Sequence, residues 1–251
     1  MPSPHGPTLR ELATQALSST QAGYDLLAPK FDHTPYRTSD RVLGAVTDAL
    51  RPHGPFRSGL DVCCGTGAGV GVLRELCHER VTGTDFSAGM LDRARAAHAD
   101  ARDAAHADAP DGAPEVHWVR ADARALPFGP AFDLAVSFGA FGHFLPSERP
   151  DLFAGVHRAL RPGGRFVFPL PAPPPVGSRP YWELWAFDAA MRVRNLVWRP
   201  PFTMYYRTFR LTDVVGDLTR AGFRVELSAL EEFGRRPDGA PRCRLVTGVR
   251  A

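Results

Sequence analysis

Lysine is almost missing from this chain: of 30 lysine and arginine residues, Lys30 is the only lysine. Alanine, glycine and proline are abundant, so the arginines reflect a GC-rich coding bias, and clusters of them carry less functional weight than usual. No charge of one sign dominates either. Thirty cations against 27 carboxylates leave a net +3, too little to argue for nucleic acid by itself. Cysteine is scarce, and Cys63, Cys64, Cys77 and Cys243 make no Cys-x-x-Cys pair and have no histidine at finger-like spacing. A disulfide framework and a structural metal are therefore not expected, and the thiols read as small buried apolar groups. No apolar run approaches the ~18 residues of a membrane helix. Met1 to Leu17 lacks the basic start and apolar core of a secretory signal, so a cytoplasmic enzyme is the expectation.

What is present fits one α/β domain with a small appendage: 251 residues, 44% apolar and 23% charged. Thr8-Leu9-Arg10-Glu11 reads as a capping box opening a short helix, which Ser18 to Gly23 breaks. A second helix is predicted from Ser39, ending at Arg51-Pro52. Strand and helix then alternate. Strands are predicted at 59–63, 80–85, 116–121, 132–138 and 165–170, with intervening helices that bury Val70, Leu73, Leu76 and Cys77, then Met90 and Leu91, then Leu152 to Leu160 behind a Ser147 cap. Residues 96–114 are low in complexity and read as a fraying helix end and a solvated loop. After a proline-rich stretch from 171 and an aromatic-rich segment to 209, a helix at 212–221 precedes two strands at 223–230 and 242–249. That alternation implies a doubly wound, mostly parallel sheet, with the last two strands as an antiparallel hairpin. No internal repeat is visible.

The first strand runs into Gly65-Thr66-Gly67-Ala68-Gly69 and then a helix, which places bare N–H groups beside an open pocket. Such turns also serve dinucleotides, but the third glycine of that pattern would fall at Val70. Asp61 within the first strand suits a cationic ligand better than a pyrophosphate. Asp85 lies 20 residues beyond Gly65, where a carboxylate can accept both hydroxyls of a ribose.

Together, Leu60-Asp61-Val62-Cys63-Cys64-Gly65-Thr66-Gly67, Thr84-Asp85-Phe86-Ser87 with Met90-Leu91, Ala121-Asp122-Ala123, Phe132-Asp133 through His143-Phe144, and Leu160-Arg161-Pro162-Gly163-Gly164 resemble the ordered motifs of class I S-adenosylmethionine-dependent methyltransferases over roughly residues 39–170. The resemblance implies a Rossmann-like seven-stranded sheet with a reversed final strand. It implies S-adenosylmethionine as cofactor and S-adenosylhomocysteine as product. It assigns the turn residues Cys63, Gly65, Thr66 and Gly67, with Asp61, to the methionine amine, and Arg41 or Tyr24 to its carboxylate. Asp85 takes the ribose; Asp122 and the Ala123 amide take the adenine edge; Phe86 and Met90 pack on its face; Ser87, Ser137 and Phe138 complete the cofactor set. The family has glycine where this chain has Cys63, so the cysteine is expected at negative φ with its side chain turned from the cofactor. The implied organisation is an N-terminal helical cover, 1–38, and a methyltransferase domain, 39–251, carrying a substrate-cover insert at 171–209.

On the acceptor side, His143 follows the fourth strand and is the candidate general base, or else a histidine that only orients or packs. The other histidines, among them His98, His106 and His117, read as surface residues. The insert supplies Trp182, Trp185, Tyr205 and Tyr206, which with Tyr36 form the expected acceptor wall. Packing of an amphipathic helix on the sheet accounts for the same aromatics. These features imply a small, mostly apolar or aromatic acceptor methylated on oxygen or nitrogen. Two alternatives stay open: an RNA methyltransferase, since Arg192, Arg194 and Arg199 interleave with Trp198, and a cofactor-binding protein that transfers nothing. Oligomeric state is not legible.

Overall fold

A computed structural model describes residues 6–34, 36–105 and 113–251, with side chains left aside at 9 and 100–105. Seven strands form one sheet: β1 (Phe56–Val62), β2 (Cys77–Asp85), β3 (Glu115–Arg120), β4 (Phe132–Val136), β5 (Leu160–Pro171), β6 (Phe223–Ala229) and β7 (Cys243–Arg250). Their order is β3-β2-β1-β4-β5-β7-β6. Neighbours from β3 to β5 are parallel, and β7 is antiparallel to both β5 and β6. The order reverses between β1 and β4, so the crevice outside their carboxyl ends is where this topology puts a ligand.

Helices cover both faces: α3 (Asp40–Leu50), α4 (Ala68–Leu76) and α5 (Ala88–Ala105) in the first half, α6 (Arg149–Ala159) and α8 (Leu211–Arg220) in the second. The side-chain alternation of a strand divides the core accordingly. On β5, Phe166 and Phe168 join one apolar cluster with Phe153 and Leu218, while Val167 between them joins another with Val46 and Leu73. Strands buried on both sides read as near-continuous apolar runs, which is why they were visible in the sequence.

Two further segments lie over the carboxyl edge. The N-terminal one holds α1 (Leu9–Leu17), opened by the expected Thr8 capping box, and α2 (Thr20–Leu27). Ser18 does stop α1, but Ser19 caps a new helix, its Oγ accepting from Ala22 N, so the break read across 18–23 is only a joint. The other is α7 (Arg179–Val197) with the chain after it, which makes a small core of its own from Met191, Phe202, Met204 and Tyr205.

Cys77 is buried with Val70, Leu73 and Leu76 as expected, where it caps α4 and opens β2. Two local expectations are corrected. Ser147 caps nothing, because α6 starts after Glu148, whose carboxylate holds the Leu145 amide and Arg124. Helix α5 persists to Ala105 through the low-complexity stretch; His106 and its neighbours to 112 lie outside the described residues.

Helices α6 and α8 are tied by a buried pair. Arg149 Nε lies 2.7 Å from Asp217 Oδ2 with the two side chains 7% and 5% exposed, and Arg149 also donates to Thr208 O at 2.7 Å. The Nε–H does not point along the contact, so its worth is charge on charge. Removing Asp217 leaves the Arg149 charge buried, whereas Asp217 has a second partner in Arg220. Asp217→Ala is expected to cost about 3–5 kcal/mol in urea unfolding, and pairing it with Arg149→Met should recover most of that loss.

Candidate active site

The chain leaves β1 through Cys63 in the left-handed region, at φ 58°, then Gly65 and Gly67 at 53° and 91°. The negative φ expected at Cys63 is therefore wrong. This turn needs a left-handed residue there, and a non-glycine side chain bears the steric cost. The turn is held by Gly67 N donating to Cys64 O and Cys64 N donating to Thr84 O, both 2.8 Å. Gly67 has no room for a side chain, since a Cβ would come within 2.7 Å of His98 Nε2. His98, expected at the surface, instead bonds the Gly67 carbonyl at 3.0 Å and packs on Trp118. His117 does lie at the surface, beside Glu115.

Three carboxylates stand at the strand ends, each in a different state. Asp61 is 1% exposed, and neither oxygen has a hydrogen-bond partner. It packs on the first turn of α4 at Gly69, where any Cβ would meet Oδ2 at 2.5 Å. Burial, reinforced by the charge of Asp85, pushes this carboxyl well above its usual range, against a weaker pull from the Gly69 and Val70 amides. Asp85 is also buried and raised by burial, but Oδ2 accepts from Gly65 N and Oδ1 from Ser87 N, each at 2.9 Å. Each oxygen keeps lone pairs for further donors. Asp122 is partly exposed and lowered by its bonds to Arg124, 2.6 Å away.

All three line one cavity of about 1120 Å³. Tyr24, Cys63, Gly65, Thr66, Phe86, Met90, Ala123 and Phe138 line it as well, as do His143, Tyr36 and Tyr206. Thr66 Oγ1 donates to Asp32 Oδ1 at 2.7 Å, tying the glycine turn to the N-terminal segment.

The structure places the remaining candidates elsewhere. Arg41 donates to the Glu232 carbonyl and lies over the Phe233 ring; Arg37, in the turn before α3, reaches the cavity instead. Ser87 is fully buried and caps α5, its Oγ accepting from Met90 N and donating to Asp25. Ser137 donates to the Val62 carbonyl, and Gly67 serves as the cap of α4; neither lines the cavity. Trp182 and Trp185 are 55% and 47% exposed on α7, away from the cavity lining, because that helix buries the face carrying Asp188 and Met191. Tyr205 is buried in the insert's own core, where its hydroxyl accepts from Asn195 Nδ2. The wall from the insert is instead Pro200, Pro201, Thr203 and Met204, with Tyr206. Pro200-Pro201 was the available signal, since a helix cannot continue through it and the chain must turn back. Phe144, the end of the fourth motif, lines the cavity too, while Phe31 was missed, having no motif to mark it.

Residues 60–164 match the model of the methyltransferase domain family. Residues 60–164 thus form a methyltransferase-type domain. The chain is 38% identical over 122 residues to a demethylmenaquinone methyltransferase of Thermus thermophilus, covering 47% of this chain and 49% of the relative. To an O-methyltransferase of Penicillium expansum it is 34% identical over 109 residues, 43% of this chain and 36% of the relative. The match thus spans half or less of these relatives' length. Among solved structures, a TehB-like methyltransferase of Corynebacterium glutamicum shares the fold, with TM-score 0.58 and 20% identity over 92% of this chain and 99% of that one.

The Asp61 carboxyl holds its proton more tightly folded than unfolded, so its own contribution to stability is complete below the ordinary carboxylate range and is lost as pH rises through the raised value. Asp61→Asn is expected to raise the thermal midpoint by a few degrees at pH 8, a gain of about 1–3 kcal/mol, and the gain should shrink as pH falls. Thermal unfolding of both proteins between pH 5 and 8.5 checks this; a gain independent of pH would clear Asp61 of a stranded charge.

Proposed function

We propose that this chain transfers a methyl group from S-adenosylmethionine to a small, largely apolar acceptor, on oxygen or nitrogen, releasing S-adenosylhomocysteine. One observation carries this: an unpartnered buried carboxylate and a polar strand-end rim share a single cavity with an apolar wall. At about 1120 Å³ the cavity exceeds the range of ~300–1,000 Å³ usual for one ligand, which leaves space for an acceptor beside the cofactor.

The donor set fits that cofactor. Asp61 lacks a cation and would face the methionine ammonium. Asp85 has free lone pairs for the ribose hydroxyls, and the amide of the buried Ala123 supports the adenine edge beside Phe86 and Met90. Arg37, which lines the cavity together with Arg120 and Arg124, takes the place of Arg41 for the methionine carboxylate. When bound, the cofactor supplies a methyl group on an already activated sulfur, so alignment and exclusion of water are most of what the protein adds. Tyr36, Phe144, Met204 and Tyr206 wall the rest, and His143 lies among them as the proton acceptor. The relatives named for O-methylation and for a quinone are in keeping with an acceptor of this kind. The N-terminal segment and the insert act as cover over a methyltransferase domain.

Nucleic acid is disfavoured by the state of the arginines. Arg194 is spent on the Ser18 and Pro200 carbonyls, and Arg192 stacks on Tyr205. Among the described residues no helix is long and apolar enough to cross a membrane, and a cytoplasmic small-molecule enzyme is our reading.

Calorimetry with S-adenosylmethionine and S-adenosylhomocysteine tests the cofactor. Asp85→Ala should weaken both by about 30- to 1,000-fold, two charge-assisted bonds being lost. Asp61→Asn should weaken both at least tenfold at pH 8, since each carries the α-ammonium group. No binding at millimolar concentration by folded protein would sink the proposal, and binding without turnover across an acceptor screen would favour the transfer-free alternative.

A further inference from the structure

His143 was expected to face the acceptor itself, but both of its ring nitrogens are already engaged. Nδ1 lies 2.7 Å from the Thr203 carbonyl oxygen, and Nε2 lies 2.7 Å from the Tyr24 hydroxyl. A carbonyl only accepts, so Nδ1 carries the hydrogen. Burial lowers the basicity of this imidazole, which is therefore neutral at physiological pH. A neutral ring protonated at Nδ1 has a bare Nε2, and the Tyr24 O–H must donate to it. The phenol oxygen keeps its lone pairs, and Tyr24, His143 and Thr203 all line the cavity.

The chain of bonds is braced from three distant parts of the sequence. Tyr24 comes from α2, His143 from the short 3₁₀ turn Phe141–His143, and Thr203 from the insert. Thr203 N donates to Thr20 Oγ1 one turn before Tyr24, and Tyr205 N donates to Gly142 O beside His143. The Tyr24 and His143 rings meet edge to face at 5.1 Å.

We propose that Tyr24 is the group that meets the acceptor's hydroxyl and that it hands the proton back to His143. This rests on the methyl-transfer reading and narrows its acceptor to one bearing a proton on oxygen. The acceptor oxygen's lone pair forms the new bond to the methyl carbon as the carbon–sulfur pair returns to sulfur. The acceptor's proton passes to Tyr24 Oη while the Tyr24 proton passes to His143 Nε2. The imidazolium left behind donates through Nδ1 to Thr203 O and through Nε2 to Tyr24. It carries the one positive charge that sulfur has lost, so the closed cavity ends with the charge it started with, and the proton leaves to solvent after the product does.

A standing phenolate is not part of this. Burial raises the Tyr24 phenol above its usual value, helped by Tyr206 and Tyr36 from the covering segments and by Asp85 and Cys63 from the strand ends. The proton has to move through the tyrosine in one event with transfer from the acceptor.

Two measurements test the relay. In the first, long-range ¹H–¹⁵N correlation on histidine-labelled protein should show His143 as the Nδ1–H form, and Tyr24→Phe should move its Nε2 resonance while leaving Nδ1 in place. An Nε2–H form, or an unmoved resonance, overturns the proposal with no acceptor needed. The second follows S-adenosylhomocysteine formation with a panel of phenols and naphthols, set against 4-nitrophenol, which is ionised at pH 8.5. Tyr24→Phe and His143→Ala should each cut turnover on the un-ionised phenols by about 10²–10⁴-fold, the double variant falling no further than the worse single one. The loss on 4-nitrophenol should be at least tenfold smaller. Equal losses on both acceptor kinds, or a His143→Ala loss that Tyr24→Phe does not share, overturn the relay. Wild-type protein that binds cofactor but turns over no member of either set overturns the hydroxyl-acceptor reading itself.

Discussion

An uncompensated carboxylate at the end of a buried strand is the most expensive arrangement in this molecule, and the ligand edge of the sheet is organised around it. Asp61 sits where β1 meets the glycine turn, with no donor bonded to it and a second carboxylate, Asp85, close enough to oppose its charge. A carboxylate in that position gives up solvation without receiving a counter-charge from the protein. The neighbouring acids are treated differently. Asp85 is satisfied by two backbone amides, and Asp122 by an arginine. Charge is thus neutralised at the rim, shared at the middle and left open at the base. A cation entering the cavity gains most at Asp61, where nothing else competes for it.

Polar bonds tie the N-terminal segment to that edge and to the insert. Thr66 reaches Asp32, Ser87 and Gly89 N reach Asp25, and Thr203 reaches Thr20. Each joins a motif residue or the insert to the N-terminal segment. Hydrogen bonds of this kind are modest in net stability but directional, so they position Tyr24 against His143 without needing a large interface. The insert's own small core then leaves an apolar helix face, with Trp182, Trp185 and Leu196, open to solvent.

How much of this could be read beforehand follows from what each residue has to do. Strand ends were legible because β1, β2, β4 and β5 are buried on both faces and their lengths fix the spacing: helix α4 and β2 together separate the turn from Asp85. Direction at a strand end was not legible. Ser87 and Ser137 have the chemistry of cofactor ligands, yet both turn back to satisfy local backbone groups, a choice that depends on which donor is left unpaired. Arg41 and Arg37 are equivalent as cations, but one lies within α3 and the other in the turn before it. In α7 the aromatic face lost to the face bearing Asp188, whose carboxylate accepts the amides of both Tyr206 and Arg207. Two otherwise buried N–H groups outweigh exposed apolar rings, and no hydrophobic pattern reports on a buried acceptor. Cys63 is a related case: the turn's backbone conformation is set by the sheet and by α4, and the side chain has to tolerate it.

The arginine excess, set aside at first as coding bias, finds a common use in the structure. Arg41, Arg120, Arg149, Arg194, Arg242 and Arg250 all donate to backbone carbonyls at the ends of elements or in loops. A guanidinium has five donors in a rigid fork and so can hold two or three carbonyls at once, as Arg250 does with His157, Arg158 and Leu160 where α6 ends. Carbonyls left over at a helix terminus need such partners. A cation used this way keeps its charge but offers few free N–H groups to a phosphate. Much of the arginine content of this chain thus serves to satisfy carbonyls, and counts along the sequence do not by themselves mark a cationic surface.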